Sequence, residues 1–258
     1  MILGFDIGNT STVMGLYRDE SPRPDETFRF DTDKRTSTSK LAGEIRRLLG
    51  PREGGNISEI NGFSYSSVVP EINSVYDEAA RLLFNLEAMG ISHLSNLAIT
   101  LRYKDLSQLG VDRIVNAESA FREYGAPCII VDIGTAATFC VLLEGGIFDG
   151  GLIAPGINTT IKALSQYASN LPPVTFEKPD RLVAQDTVNA IKSGFFYGWI
   201  SLVSGIITLI EKQYDMQFKI IFTGGLSALV AEHLDREVMV DRDLTMKGIK
   251  YIYDLNRL

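Results

Sequence analysis

Phe5-Asp6-Ile7-Gly8-Asn9-Thr10, close to the amino terminus, is echoed in mid-chain by Val131-Asp132-Ile133-Gly134-Thr135-Ala136. Each copy follows an apolar run, residues 1–5 and 128–131, and each leads into a second strand-like run, 12–17 and 138–143. The shared pattern is strand, aspartate, glycine turn, hydroxyl, strand. Backbone N–H groups approach a phosphate oxygen most closely where no Cβ intervenes, as at Gly8 and Gly134. Asn9, Thr10, Ser11 and Thr135 add side-chain donors. An aspartate beside a phosphate repels it unless a cation lies between, so Asp6 suits a water-mediated ligand of Mg²⁺ that also takes phosphate oxygens. One D-x-G followed within two residues by a hydroxyl side chain is common in ordinary turns. Two copies at matching places predict a duplicated fold whose hairpins close on one nucleotide, as in-line phosphoryl transfer requires.

Outward from the first hairpin, residues 21–40 are polar and turn-rich, with a charged segment at 31–35. Ser39 is the expected cap of a helix with Leu41, Ile45, Leu48 and Leu49 on one face. Residues 51–57 read as a Gly-containing loop, and 60–69 as a strand stopped by Pro70. The next helix is expected to place Val75, Ala79, Leu82 and Leu86 on one face and to end near Gly90. Residues 96–101 suggest a strand. Gly110 opens a helix through Tyr124. After the second hairpin come a Gly-interrupted strand at 147–153, a helix capped by Asn158, and an irregular Pro-containing segment at 171–180. Then follow a long apolar helix starting at Asp186 or Thr187, a buried strand at 219–222 followed by Thr223-Gly224-Gly225, and a last helix at 244–256. Hairpin, more sheet, then helices occur twice, with no low-complexity linker between. The expected domains are therefore 1–116 and 117–258.

With 258 residues the chain can bury a substantial core. Its net charge of −7 argues against broad electrostatic binding to nucleic acid, which needs a basic surface. Two cysteines cannot form a disulfide framework, and no signal-peptide pattern precedes the first strand, so the expected compartment is the reducing cytoplasm. Residues 193–210 carry no charge over 18 positions, a length that could span a membrane. Their three glycines and three serines favour a helix buried in the core or between subunits, with no membrane partner.

Phosphoryl transfer also needs a group facing the acceptor. No Walker G-x-x-x-x-G-K-[ST] and no G-x-G-x-x-G occurs. Asp112 is the best candidate base, because Gly110 lets the backbone turn before a helix and Arg113 can hold an anion. The same G-x-D-R run can also be a helix cap with a local ion pair.

Taken together, Asp6-Ile-Gly-Asn-Thr, Ser66-Ser-Val-Val-Pro70, Gly110-Val-Asp-Arg-Ile-Val-Asn-Ala117, Val131-Asp-Ile-Gly-Thr-Ala136, Gly150-Gly-Leu-Ile-Ala-Pro-Gly156 and Thr223-Gly-Gly-Leu226 resemble type III pantothenate kinase, in order and along the whole chain. The resemblance implies an α/β architecture: two duplicated ribonuclease-H-like (actin-like ATPase) domains of the acetate-and-sugar-kinase/Hsp70/actin superfamily, with mixed sheets and an active cleft between them. It implies a homodimer and ATP-dependent phosphorylation of pantothenate, the first step of coenzyme A synthesis, with a monovalent cation such as K⁺ or NH₄⁺. By motif, Asp6, Ile7, Gly8, Asn9, Thr10, Ser11, Thr12 and Val13 become the ATP-phosphate loop, and Thr135 an ATP contact. Asp112 becomes the base within a substrate-binding run of Gly110, Val111, Asp112 and Arg113. Tyr103 becomes a substrate contact, and Thr187 another, supplied across the dimer interface. Asp132 becomes the ligand of the monovalent cation.

The chain departs from the family pattern in places. Asp105-Leu106 stands where the family usually has Asn-Pro, and Ala137 and Cys140 stand where it usually has Thr and Asp. The last two remove a hydroxyl and a carboxylate near the nucleotide or cation. They are the only support for one rival reading, a non-catalytic nucleotide-binding regulator; against the other, a phosphohydrolase of the same superfamily, stands the Gly110–Arg113 run. Cys128 and Cys140 flank Gly134 at similar distances and read as buried free thiols. His93 and His233 take no role.

Overall fold

The computed structural model describes residues 1–50, 59–168 and 170–257. The loop expected at 51–57 lies outside the described residues. The chain forms two compact units, Met1–Tyr124 with Asp243–Leu258, and Gly125–Arg242.

In the first unit, β1 (Ile2–Ile7) and β2 (Ser11–Tyr17) form the first hairpin and β3 (Glu26–Asp31) extends it. Helix α1 (Thr38–Leu49) leads to β4 (Gly62–Ser67), and α2 (Asn73–Phe84) to the short β5 (Met89–Gly90). A two-residue strand β6 (Thr100–Leu101) precedes α3 (Val111–Tyr124). The strand order is β3-β2-β1-β4-β5, with β1 antiparallel to β2 and parallel to β4. Leu3, Phe5 and Ile7 alternate onto a fully buried face, and the Phe5 ring stacks on Phe63 at 4.7 Å between centroids.

The second unit repeats this plan. Strands β7 (Cys128–Ile133) and β8 (Ala136–Leu143) form the second hairpin and β9 (Ile147–Pro155) extends it. Helices α4 (Ile157–Tyr167) and α5 (Thr187–Tyr214) lead to β10 (Lys219–Thr223), then α6 (Ser227–Ala231) and β11 (Met239–Val240). Five of the six strands of the second sheet run in the order β9-β8-β7-β10-β11 and match the first sheet strand for strand, with β7 antiparallel to β8 and parallel to β10. Along α5, Trp199, Val203, Ile207 and Ile210 recur every three or four residues and pack into a core with Val131, Phe139 and Phe222. Among the described residues α5 is the one helix long and apolar enough to cross a membrane. Its buried stripe packs into the core of this unit.

The last helix, α7 (Leu244–Asn256), follows the second unit in the chain but packs on the first. Tyr17 donates to the Met246 carbonyl (2.6 Å) and Thr245 to Asn116 Oδ1 (2.7 Å), while Ile249 and Ile252 are buried with Ile2 and Val115. The boundary expected at Asn116 therefore falls inside α3, and the split of 1–116 from 117–258 is corrected. An unbroken helix cannot be cut in the middle, and α7 must cover the apolar face of α3. Local expectations also change: α4 begins at Ile157 after Gly156, so Asn158 lies within its first turn and does not cap it. Ser37 caps α1 in place of Ser39, its Oγ accepting from Lys40 N (3.3 Å). Helix α2 stops at Phe84, where Asn85 takes a left-handed conformation (φ 55°), and it buries Tyr76, Ala79 and Ala80 while Leu82 is 56% exposed.

Candidate active site

The first hairpin turns at the end of β1. Gly8 N donates to the Ser11 carbonyl (3.2 Å), closing a tight turn with Asn9 and Thr10 exposed at its tip. Asp6 lies one residue before the last of β1, opposite Val13 on β2 and Ser66 on β4. Directly opposed residues share a face of the sheet, so Ser66 presents its hydroxyl beside the Asp6 carboxyl. That hydroxyl is buried and has no hydrogen-bond partner among the described residues. Of the eight loop residues read from sequence, Ile7 and Thr12 are fully buried, so only their backbone can serve a ligand. Asp6, Gly8, Ser11 and Val13 are half-buried.

The segment after β3 closes onto this hairpin, which motif reading alone did not reveal. Thr32 Oγ1 donates to the Gly8 carbonyl (2.7 Å) and lies 2.9 Å from Thr12 Oγ1, while Thr32 N donates to the Thr10 carbonyl (3.0 Å). Arg29 donates to Ser11 Oγ (2.7 Å) and Lys34 to Asn9 Oδ1 (2.8 Å). The signal was present in the charged 31–35 segment, but only the pairing of β3 with β2 brings it to the hairpin.

Elsewhere in the same unit, the N-terminal turn of α3 presents Gly110, Val111, Asp112 and Arg113. Asp112 Oδ1 accepts from Arg113 N (2.8 Å), using one of the free amides of the first turn. A Cβ on Gly110 would come within 2.5 Å of that oxygen, so glycine leaves the space the carboxylate occupies. Desolvation by the surrounding protein raises the Asp112 pKa, opposed by the Arg113 amide and the Arg113 charge. Arg113 is buried, and its guanidinium carbon lies 5.8 Å from the centroid of the Tyr103 ring, which is 37% exposed. The structure thus brings together Tyr103, Asp112 and Arg113, which sequence reasoning grouped. Asp105 instead accepts locally from Ser107 N and Gln108 and is held below the usual carboxylate range, first by Ser107.

In the second unit Asp132 occupies on β7 the place Asp6 has on β1. It lies opposite Thr138 on β8 and Thr223 on β10, two buried threonines on its own face. Gly224 follows with φ 92°, and a Cβ there would meet the Ile133 carbonyl at 2.5 Å and Asp132 Oδ1 at 2.6 Å. Only glycine fits that position. Thr135 is exposed at the hairpin tip, and its carbonyl accepts from Gly156 N (2.9 Å) and Thr159 Oγ1 (2.7 Å) at the start of α4. Ala137 and Cys140 are buried, so the polar groups absent there are absent from the interior and not from the exposed tip. No disulfide joins Cys128 and Cys140, and burial pushes the Cys128 thiol up to about 12, which makes it unreactive. Thr187 is the exposed first residue of α5, after Asp186, whose Oδ1 caps the helix through Asn189 N (2.9 Å).

Among the described residues no group of three or more His, Cys, Asp and Glu side chains could hold a metal. A cation at Asp6 would depend on water and phosphate oxygens, a donor set that suits Mg²⁺, and the orphaned Ser66 hydroxyl fits such a shell. Asp132 faces two threonine hydroxyls, and carboxylate and hydroxyl oxygens are donors of the kind a hard cation takes.

A sequence profile for the family described as type III pantothenate kinase matches residues 2–209. The chain is 36% identical over 256 residues to the type III pantothenate kinase of Halalkalibacterium halodurans, covering 99% of this chain and 100% of the relative. The chain belongs to the type III pantothenate kinase family. The enzyme of that name from Brevibacillus brevis is 35% identical over 257 residues, covering 100% of both chains. The fold is the actin-like ATPase and sugar-kinase fold. It is shared with the ADPNP-bound activator of the 2-hydroxyisocaproyl-CoA dehydratase from Clostridium difficile, at a TM-score of 0.56 and 15% identity over 98% of this chain and 94% of that one. The chain is thus a kinase, a phosphotransferase acting on pantothenate in coenzyme A synthesis.

Proposed function

We propose that Asp112 is the base of this kinase, taking the proton of the pantothenate hydroxyl as that oxygen attacks the γ-phosphorus of ATP. The observation that carries the assignment is its setting: a desolvated carboxylate on the first turn of α3, beside the Arg113–Tyr103 pair. In this reading Tyr103, Gly110, Val111 and Arg113 hold pantothenate, and Arg113 offsets charge next to the base. Asp6, Gly8, Asn9, Thr10 and Ser11, with the backbone of Ile7, Thr12 and Val13, hold the ATP phosphates. Thr135 contributes a further nucleotide contact. Asp6 orders a hydrated Mg²⁺ and Asp132 a monovalent cation, K⁺ or NH₄⁺; when bound, these ions neutralise phosphate charge. The loose transition state of phosphoryl transfer asks for such positioning more than for a strong base.

Turnover of purified protein with MgATP, K⁺ or NH₄⁺ and pantothenate, followed as ADP release and phosphopantothenate, tests the reading. Asp112→Asn should lower kcat by about 10²–10⁴-fold while the Kd for ATP stays within about twofold. Loss of ATP binding in that variant would move Asp112 to the nucleotide site.

The same reading makes the protein a cytoplasmic homodimer, with Thr187 serving the partner subunit's substrate and part of α5 covered by that subunit. Leu202 (38% exposed) and Leu209 (66% exposed) stand on the uncovered side of α5 and support this. Leu209→Glu should shift light-scattering mass from dimer towards monomer; an unchanged dimer mass would place the interface elsewhere.

A further inference from the structure

The phosphate hairpin has a deficit of positive charge. Residues 6–13 contain no lysine or arginine and carry the Asp6 carboxylate. A triphosphate brings several negative charges to that turn, and neutral amides and hydroxyls do not balance them. A cation must come from another part of the chain or from solution.

Lys34 stands where such a cation is needed. Its Nζ donates to Asn9 Oδ1 at 2.8 Å, at the exposed tip of the turn. The backbone that carries it is fastened on both sides. Upstream, Thr32 makes hydrogen bonds of 2.7 Å and 3.0 Å to the Gly8 and Thr10 carbonyls. Downstream, the Asp33 carboxylate accepts from Arg35 N (2.9 Å) and Lys40 Nζ (2.6 Å), and the Asp33 carbonyl accepts from Thr36 N (3.0 Å). Only the side chain of Lys34 is left to move, a four-carbon stem with a compact charge and three donors. Its competing anion is Glu71, 3.5 Å away, an exposed pair worth little against a phosphate.

Building on the assignment of the hairpin to ATP, we propose that Lys34 is a triphosphate-binding residue of this kinase, delivered to the hairpin by the turn after β3. Its ammonium exchanges the neutral Asn9 amide oxygen for a phosphate oxygen of ATP, a charge-assisted bond in place of a weaker one.

Lys34→Ala should raise the KM for ATP about tenfold or more and leave the KM for pantothenate within twofold. Lys34→Arg should recover most of the loss, and Glu71→Gln should leave the KM for ATP unchanged or lower it. Arg47→Ala, on the exposed face of α1, controls for net charge and should have no effect. An unchanged KM for ATP in Lys34→Ala overturns the proposal, as does a Glu71→Gln variant that reproduces the Lys34→Ala defect, since the ion pair alone would then matter. Asp6→Asn separates the two levels. If it cuts kcat while Lys34→Ala is silent, only Lys34 is misassigned; if both are silent, the hairpin is not the phosphate site.

Discussion

At the scale of single residues, Asp112 is asked to be two things at once. A base must be ionised, yet desolvation favours its protonated form. Its pKa in the folded protein lies above the unfolded value, so between the two the native state holds more protons and stability falls as pH rises through that window. At neutral pH the folded chain therefore carries a cost that an uncharged residue would not. Asp112→Asn, besides losing turnover, should melt at a higher temperature than the parent at pH 7. The difference should fade as pH drops below the ordinary aspartate range, and calorimetry across pH 3–8 would show it. On the acid side, kcat/KM for pantothenate should decline with a midpoint above that of a solvent-exposed aspartate, and a flat profile would remove Asp112 from the proton transfer. Much of this was legible in the sequence, because Gly110, Asp112 and Arg113 are chemically conspicuous at a helix start. Thr32 and Lys34 were not. Their importance depends on the Thr12↔Phe30 register that lays β3 against β2, and a local pattern does not encode a strand's partner.

At the scale of elements, α3 and α7 have the bounds their sequence predicts, since both are periodic, and Gly110 marks where α3 begins. The end of α2 is hidden in the sequence because Leu82 and Leu86 extend an apolar period past the Asn85 turn, although Leu82 is exposed and Leu86 packs on the core from beyond the helix. The packing of α7 on α3 was also hidden, since it rests on one absent side chain. A Cβ on Gly248 would lie 2.1 Å from the Val115 carbonyl oxygen, so the two helices touch backbone to side. Alanine is favoured over glycine by about 1 kcal/mol within a helix, so Gly248→Ala would stabilise a helix free of neighbours. Here it should destabilise by about 1–3 kcal/mol through overpacking. A thermal melt in which Gly248→Ala gains stability would contradict the contact.

At the scale of the whole molecule, two copies of one strand order, hairpin first, explain why Asp6 and Asp132 occupy matching places. The repeat could be read from the twin motifs. The division into units could not, because it depends on where α7 finds its partner. Leu244, Met246, Ile249 and Ile252 are all buried in the first unit. At about 1.5–3 kcal/mol for each buried side chain, their removal approaches the 5–15 kcal/mol that holds a typical domain folded. A chain stopped after Arg242 should therefore keep the second unit's core and lose protection from hydrogen exchange in β1, β4 and α3. Uniform protection in that truncated chain would show that the first unit stands without α7. The same helix sets a timetable for synthesis. The ribosome makes the Asp6 hairpin before the second unit, yet the residues that complete the hairpin's unit are translated only after it. The amino-terminal portion must then wait, partly assembled, while the whole second unit is translated and can fold ahead of it.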